Sequence, residues 1–454
     1  MPDSADRATP RARERDILRL AVPAFLTLVA EPLFLLADSA IIGHLGTPEL
    51  AGLGVASAAL LSVVGLFVFL AYSTTAVVSR QTGAGAPHLA LAAGLDGLWL
   101  ALGLGAVVTV AVATTAPALC SVFGASPAAI AHATTYLRIS AFGLPAMFAS
   151  LALTGILRGL QDTKTPLKVS VQCFTWNIVL NFVFVYGLGM GIAGSALGTV
   201  LAQTAMALGL GVVVYRHARG YDARLRPQLG GILHAAADGF PLLIRTMALR
   251  AVLLVTTWSA AGFGDTTLAA YQVTSTVWSF LAFALDALAI AGQALTGRAL
   301  GAGDVQGARE ATRIMTRWGV GAGVVLGALV LAVHQVLPAL FTPDEAVRTV
   351  IAAGLVMVAL SQPVNGYAFV LDGVLIGAGD SRWLAGAQVG LLVAYLPMIA
   401  WLNAHTSSLS ADQTQAITAL WCAMAAFMIL RAVVLGLRAR SDGWAVTGTR
   451  ASGH

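Results

Sequence analysis

The chain has 454 residues, 58% of them hydrophobic and only 10% charged, with 26 Lys and Arg against 21 Asp and Glu. Soluble domains carry about 25% charged and about 45–50% apolar residues, so most of this surface cannot face water. That excludes a soluble enzyme, a soluble nucleic-acid-binding domain and a disordered chain.

A membrane-spanning helix needs about 20 mostly apolar residues, and twelve such runs follow one another along the sequence. The first, roughly 18–42, contains Pro23, Glu31, Pro32 and Asp38. Each proline removes a backbone donor, so this helix is expected to bend, with Pro23 as its hinge. Glu31 and Asp38 are seven residues apart, which places both carboxylates on one face, roughly 10 Å from each other. The length of the run, its acidic residues and the lack of a small-residue cleavage site argue against a cleaved leader.

Runs two and three cover roughly 50–78 and 90–116, and the fourth roughly 131–157, with Tyr136 as an aromatic available for substrate contact. The fifth, roughly 167–187, places Asn177 and Asn181 one turn apart, and the sixth, roughly 193–215, does the same for Ser195 and Thr199. With Asp38 these residues supply oxygen and amide groups of the type that hard cations take. The other reading of the Asn pair is plain helix-to-helix bonding.

A polar stretch, 217–233, then carries Arg219, Arg224 and Arg226. The remaining runs are roughly 236–261, 268–296, 313–336, 347–373, 383–403 and 412–436. The seventh holds Arg245 and Arg250, the eighth Asp286 and Gln293, and the tenth Asp372. A charge within the bilayer costs about 2.5–3.5 kcal/mol on insertion scales, so such groups face a cavity or one another. Asp286 sits deep in its run and Asp372 near a helix end, where solvation is the alternative to pairing with the seventh-run arginines.

Basic residues set the topology. With the N-terminus in the cytoplasm, the cytoplasmic segments collect 22 of the 26 Lys and Arg and the opposite side only Arg348, which by the positive-inside rule puts both termini in the cytoplasm. The expected organisation is a cytoplasmic arm (1–16), an N-lobe of six spans (17–216), a cytoplasmic linker (217–233), a C-lobe of six spans (234–437) and a cytoplasmic tail (438–454).

The two halves repeat. A gap-free shift of 218 residues lays Pro23 on Pro241, Arg80 on Arg298, Gly83-Ala84-Gly85 on Gly301-Ala302-Gly303, Pro145 on Pro363, and Gly155, Gly159 and Asp162 on Gly373, Gly377 and Asp380. Shared apolar composition would match Ala and Leu, not Pro, Arg and Asp. With six spans per half, both halves insert the same way up, a parallel repeat about an axis along the membrane normal with a site at the interface. The shift also lays Asp286, Gln293 and Asp372 on Val68, Thr75 and Thr154, so the lobes are not functionally equivalent. Asp162 and Asp380, at matched positions, read as helix caps.

Two lobes around a cleft suit a transporter. No filter-like stretch suggests a channel. The eight His stand at no ligand spacing from one another, and Cys120, Cys173 and Cys422 lie far apart in apolar runs, so neither catalysis nor a metal centre is supported.

The motifs Ala37-Asp38-Ser39-Ala40-Ile41-Ile42-Gly43-His44-Leu45-Gly46, Gly155-Ile156-Leu157-Arg158-Gly159-Leu160-Gln161-Asp162-Thr163, Asn177 to Asn181, Gly194 to Thr199, Leu285-Asp286 and Leu371-Asp372-Gly373 resemble those of the multidrug and toxic compound extrusion (MATE) family. Within it the chain is most similar to the DNA-damage-inducible-F-like branch, over about residues 15–437. The resemblance implies a V-shaped pair of six-helix bundles, alternating access, and export of organic cations in exchange for H+ or Na+, with no cofactor. It also implies that Asp38, Asn177 and Thr199 form the ion site. Many relatives carry an acid where this chain has Asn181, which removes a negative charge and favours a proton over Na+.

The expectation is therefore a monomeric, proton-coupled multidrug antiporter in the cytoplasmic membrane of a bacterium. Its partners are the lipid bilayer and small organic cations, not nucleic acid. H+ exchanges at Asp38 and Glu31, with Asn177, Asn181, Ser195 and Thr199 around them, and Asp286, Gln293, Asp372 and Arg245 form a second polar set facing substrate. Na+ at Asp38, Asn177 and Thr199 is the alternative ion. A flippase for a lipid-linked precursor shares the fold but calls for a cationic cavity. A non-transporting sensor calls for a soluble output domain.

Overall fold

A computed structural model describes residues 10–409 and 411–448. Most of the expected N-terminal arm and the end of the tail lie outside them, as does the side chain of Glu31. The described chain is a succession of helices, without a strand.

Helix α1 (Pro10–Gly43) runs unbroken through Pro23 and Pro32, and the Thr27 hydroxyl donates to the Pro23 carbonyl at 2.8 Å. Helices α2 (Thr47–Leu66) and α3 (Phe69–Gly83) form one span with a break at Phe67 and Val68. Then come α4 (Pro87–Ser121), α5 (Pro127–Ala141), α6 (Leu144–Gly159), α7 (Lys164–Asn181) and α8 (Gly191–Gly220). The second half comprises α9 (Leu229–Gly262), α10 (Asp265–Gly301), α11 (Val305–Val333), α12 (Glu345–Gly377), α13 (Ser381–Ala404), the single turn α14 (Thr406–Leu409) and α15 (Gln413–Arg440). Among the described residues 11 helices are long and apolar enough to cross a membrane, and 12 spans result if α5 and α6, bent by 54°, count as one.

That bend has an identifiable origin. Pro145 has no N–H, so the carbonyl four residues earlier, on Ala141, loses its helical donor. The helix stops there, and the Thr109 hydroxyl on α4 donates to the Ala141 carbonyl instead, at 2.8 Å.

By contacts the chain divides into two compact units, Val22–Leu243 and Met1–Ala21 with Ile244–His454. In the first, α6 packs against α3, α4 and α8. In the second, α12 packs against α10, α11 and α15. These two central helices are the fourth spans of the two halves. The glycines that let them pack are also paired by the shift of 218. A Cβ on Gly155 would lie 2.6 Å from the Ala71 carbonyl oxygen, and one on Gly373 would lie 2.2 Å from that of Ala289. Both distances are shorter than real contacts, so only glycine allows the approach.

Of the stretch 217–233, only residues 221–228 are non-helical. Asp96 on α4 holds them, accepting from Arg224 at 2.8 Å and from the Gln228 backbone N–H at 3.3 Å. Beyond α15, Trp444 is fully buried and its indole N–H donates to the Ala439 carbonyl. Asp162 caps α7 through the backbone N–H groups of Lys164 and Thr165. Asp380 does not act as a cap: it accepts two bonds from Arg438 on α15, at 2.7 and 3.1 Å. Arg431, one of the 22 basic residues assigned to the cytoplasmic side, lies within α15 and is 3% exposed.

Candidate ion-coupling site

Four helices of the Val22–Leu243 unit bring their polar residues to one place. Helix α1 supplies Asp38, α7 supplies Asn177 and Asn181, α8 supplies Ser195 and Thr199, and α5 supplies Tyr136. Asp38 is 1% exposed, and Asn177, Asn181 and Ser195 are 0% exposed.

The backbone that aims these groups is irregular where it matters. Helix α7 ends at Asn181 and continues as a π-helical segment, Phe182–Gly187, a local widening often found at functional sites. The Tyr186 hydroxyl at its end donates to the Ile41 carbonyl of α1, tying the segment to the helix that carries Asp38. On α8, Gly198 faces Asn181: a Cβ there would sit 2.4 Å from Asn181 Oδ1.

The hydrogen bonds form a chain. Asn181 Nδ2 donates to Asp38 Oδ1 and also to Asn177 Oδ1, the latter at 2.9 Å. Asn177 Nδ2 donates to the Thr199 hydroxyl at 3.4 Å, and the Tyr136 hydroxyl meets the same Thr199 oxygen at 3.4 Å. The Ser195 and Tyr136 hydroxyls face the Asp38 carboxyl. Three oxygens of the cluster nonetheless make no well-formed hydrogen bond among the described residues: Asp38 Oδ2, Asn181 Oδ1 and Ser195 Oγ. A buried polar atom left unpaired costs about 1–3 kcal/mol, more if charged. A proton on the carboxyl would remove the charge and turn one acceptor into a donor. A small cation would instead take the spare oxygens as ligands.

Asp38, Asn177, Asn181, Ser195 and Thr199, expected to act together, share one cluster, and Tyr136, expected to contact substrate, is buried within it against Thr199. Glu31 is on the same helix, with its side chain outside the described residues.

The second polar set is a different object. Asp372 on α12 is 6% exposed and lies between two arginines. Arg245 Nε on α9 donates to Asp372 Oδ1 at 3.0 Å and its second nitrogen pairs with Oδ2, while Arg431 on α15 lies 3.1 Å from Oδ1. Arg431 also stands over the Phe369 ring at 5.6 Å, and half-buried Asp286 acts on it electrostatically. Gln293 is buried two turns further along α10. Arg250 is exposed and pairs with neither acid. Arg431 was the missed member. An arginine inside an apolar run is itself the signal of a buried partner.

The shift of 218 lays Asp38 and Asn177 on Thr256 and Tyr395. In the second half these two are buried and bonded to each other, hydroxyl to hydroxyl, at 2.7 Å. Positions that are linked through Asn181 in one half are bonded directly, as a neutral pair, in the other.

Comparison with known proteins gives a consistent picture. The MatE family model matches twice, over residues 23–183 and 241–401. Protein DETOXIFICATION 44, chloroplastic, of Arabidopsis thaliana is 31% identical over 433 residues, covering 92% of this chain and 80% of its own length. DNA damage-inducible protein F of Escherichia coli (strain K12) is 30% identical over 438 residues, 93% of this chain and 91% of its own. Among solved structures, the Vibrio cholerae MATE transporter VcmN in its bent form superposes with a TM-score of 0.84 at 22% identity, over 95% of this chain and 97% of that one.

Proposed function

Because the chain belongs to the MatE family of membrane transporters, we propose that it is a proton-coupled antiporter exporting organic cations, with Asp38 as the group that alternately holds H+ and substrate charge. The observation that carries this reading is the buried Asp38 carboxylate, which among the described residues has one oxygen without a hydrogen bond beside two further such oxygens. A carboxylate so placed has no compensating cation among its hydrogen-bond partners, so its charge is costly until a proton or a cation neutralises it.

The steps follow from that cost. With the site open to the proton-rich side, H+ binds Asp38 Oδ2, the carboxyl becomes neutral, and a cationic substrate loses its counter-charge and leaves. With the site open to the other side, the proton is lost and the restored carboxylate attracts the next cation. Asn181 holds Oδ1 throughout, so protonation is directed to the other oxygen. Pro23, which removes one rung of α1 fifteen residues before Asp38, is the point at which that helix bends between the two states. The working unit is two lobes joined by the 217–233 linker in a bacterial cytoplasmic membrane, with both termini cytoplasmic.

Na+ is the competing ion, since the three unpaired oxygens are also cation ligands. The charge count favours H+: stripping Na+ of water needs several oxygens and enough charge, and here Asn181 stands where a second acid would supply it. Efflux of a cationic dye from proteoliposomes, driven separately by a pH gradient and by a Na+ gradient, tests the reading.

A further inference from the structure

We infer that α10 and α11 form a binding groove for an anionic phospholipid, with its phosphate held by Arg313 and Arg317 and one acyl chain lying along the helix pair. The groove has a volume of about 630 Å³ and is lined by Ala284 of α10 and by Arg317, Trp318, Gly321, Val325 and Leu326 of α11. All of it belongs to one compact unit, and it shares no residue with the ion-coupling cluster or the Asp372 ion pairs.

Its two ends differ in chemistry. Arg313 and Arg317 are one turn apart and exposed, and neither has a carboxylate partner among the described residues. Glu310 lies a further turn towards the α10–α11 connection. From Val333, the far end of α11, Arg317 is about 24 Å along the helix and Arg313 about 30 Å. The hydrocarbon core is about 30 Å thick, so Arg313 stands at its edge, and Arg317, about 6 Å further in, has a side chain long enough to extend its guanidinium to the headgroups. Trp318 beside them is of the type that anchors at that level. Below Arg317 the lining is apolar and small. A Cβ on Gly321 would meet nothing within 4 Å, so the space over it is open.

Two unpaired guanidinium groups above an apolar trough complement a lipid whose head is anionic, rather than an organic cation, which they would repel. The volume also lies within the roughly 300–1,000 Å³ typical of small-molecule pockets, enough for an acyl chain.

The test uses the purified full-length protein, stripped of lipid in detergent. It is titrated with phosphatidylglycerol, phosphatidylcholine or inorganic phosphate, and bound lipid is counted by native mass spectrometry. The expected result is half-occupancy at a phosphatidylglycerol concentration about 10-fold below that for phosphatidylcholine, with no displacement by inorganic phosphate. Replacing both arginines (R313Q/R317Q) should abolish the preference between the lipids. Gly321→Leu, which fills the trough and raises helix propensity, should lower retention of both while leaving dye efflux unchanged and the melting temperature unchanged or raised. Equal retention of the two lipids by the unaltered protein overturns the inference, and that comparison stands even if a variant misfolds. Retention unchanged in both variants overturns it too. So does displacement of the lipid by a transported dye, or efficient disulfide dimerisation through Gly321→Cys, which would assign the groove to substrate or to a second copy of the chain.

Discussion

Asp38 is the residue on which the coupling argument turns, and its substitution by Asn isolates the argument well. The change keeps shape and hydrogen-bonding length but removes the titratable charge. Gradient-driven efflux by D38N should fall by about 10-fold or more, with membrane insertion and melting temperature intact, measured as dye release from proteoliposomes. A second variant tests the geometry rather than the charge. Gly198→Ala introduces a methyl 2.4 Å from Asn181 Oδ1, so the amide must rotate off Asp38 or α8 must shift. The expected cost is about 1–3 kcal/mol of stability, together with slowed efflux. A third concerns the other ion cluster. Arg431→Leu leaves Asp372 with one of its two arginines in a buried setting, and breaking such a pair costs about 3–5 kcal/mol, read as a lowered melting temperature in detergent. The acid and amide residues of the coupling cluster were legible in the sequence because an acid within an apolar run and amides one turn apart are rare and expensive there. Arg431 was not, because near the cytoplasmic end of its run a basic residue also satisfies the positive-inside rule, and only the fold shows Asp372 beside it. The neutral Thr256–Tyr395 pair was equally illegible: hydroxyls within apolar helices are common and carry no charge signal.

Among the elements, the helix runs were read from length and apolarity alone, while their breaks were not. Helix α1 contains two prolines and continues; the fourth run contains one, Pro145, and bends by 54° where the Ala141 carbonyl finds a hydroxyl on the neighbouring α4. Pro363, which the shift pairs with Pro145, lies inside the unbroken α12, so the proline alone does not specify the break. The π-helical segment after Asn181 is a similar case, fixed by the Tyr186 bond to α1. The proposed hinge gives a prediction at this scale. Pro23→Ala restores a backbone donor and can stabilise a straight helix by up to about 3 kcal/mol. The variant should fold with an unchanged or raised melting temperature yet export dye several-fold more slowly. Unchanged efflux by P23A would remove α1 bending from the mechanism.

For the whole molecule, the repeat was the strongest signal in the sequence. One gap-free offset aligned proline, arginine and aspartate, and the two matches to the family model begin 218 residues apart. The topology drawn from the basic residues predicts that cysteine substituted at residue 222 resists an impermeant thiol reagent in intact cells, while one placed in the connection 404–411 reacts. The measurement that bears most directly on the central claim is efflux of a cationic dye from proteoliposomes under one imposed ion gradient at a time. A proton gradient should drive export, its collapse should stop it, and an inward Na+ gradient at equal pH should not restore it. Export driven by Na+ alone, undiminished when the pH gradient is absent, would contradict the assignment of Asp38 as a proton-carrying site.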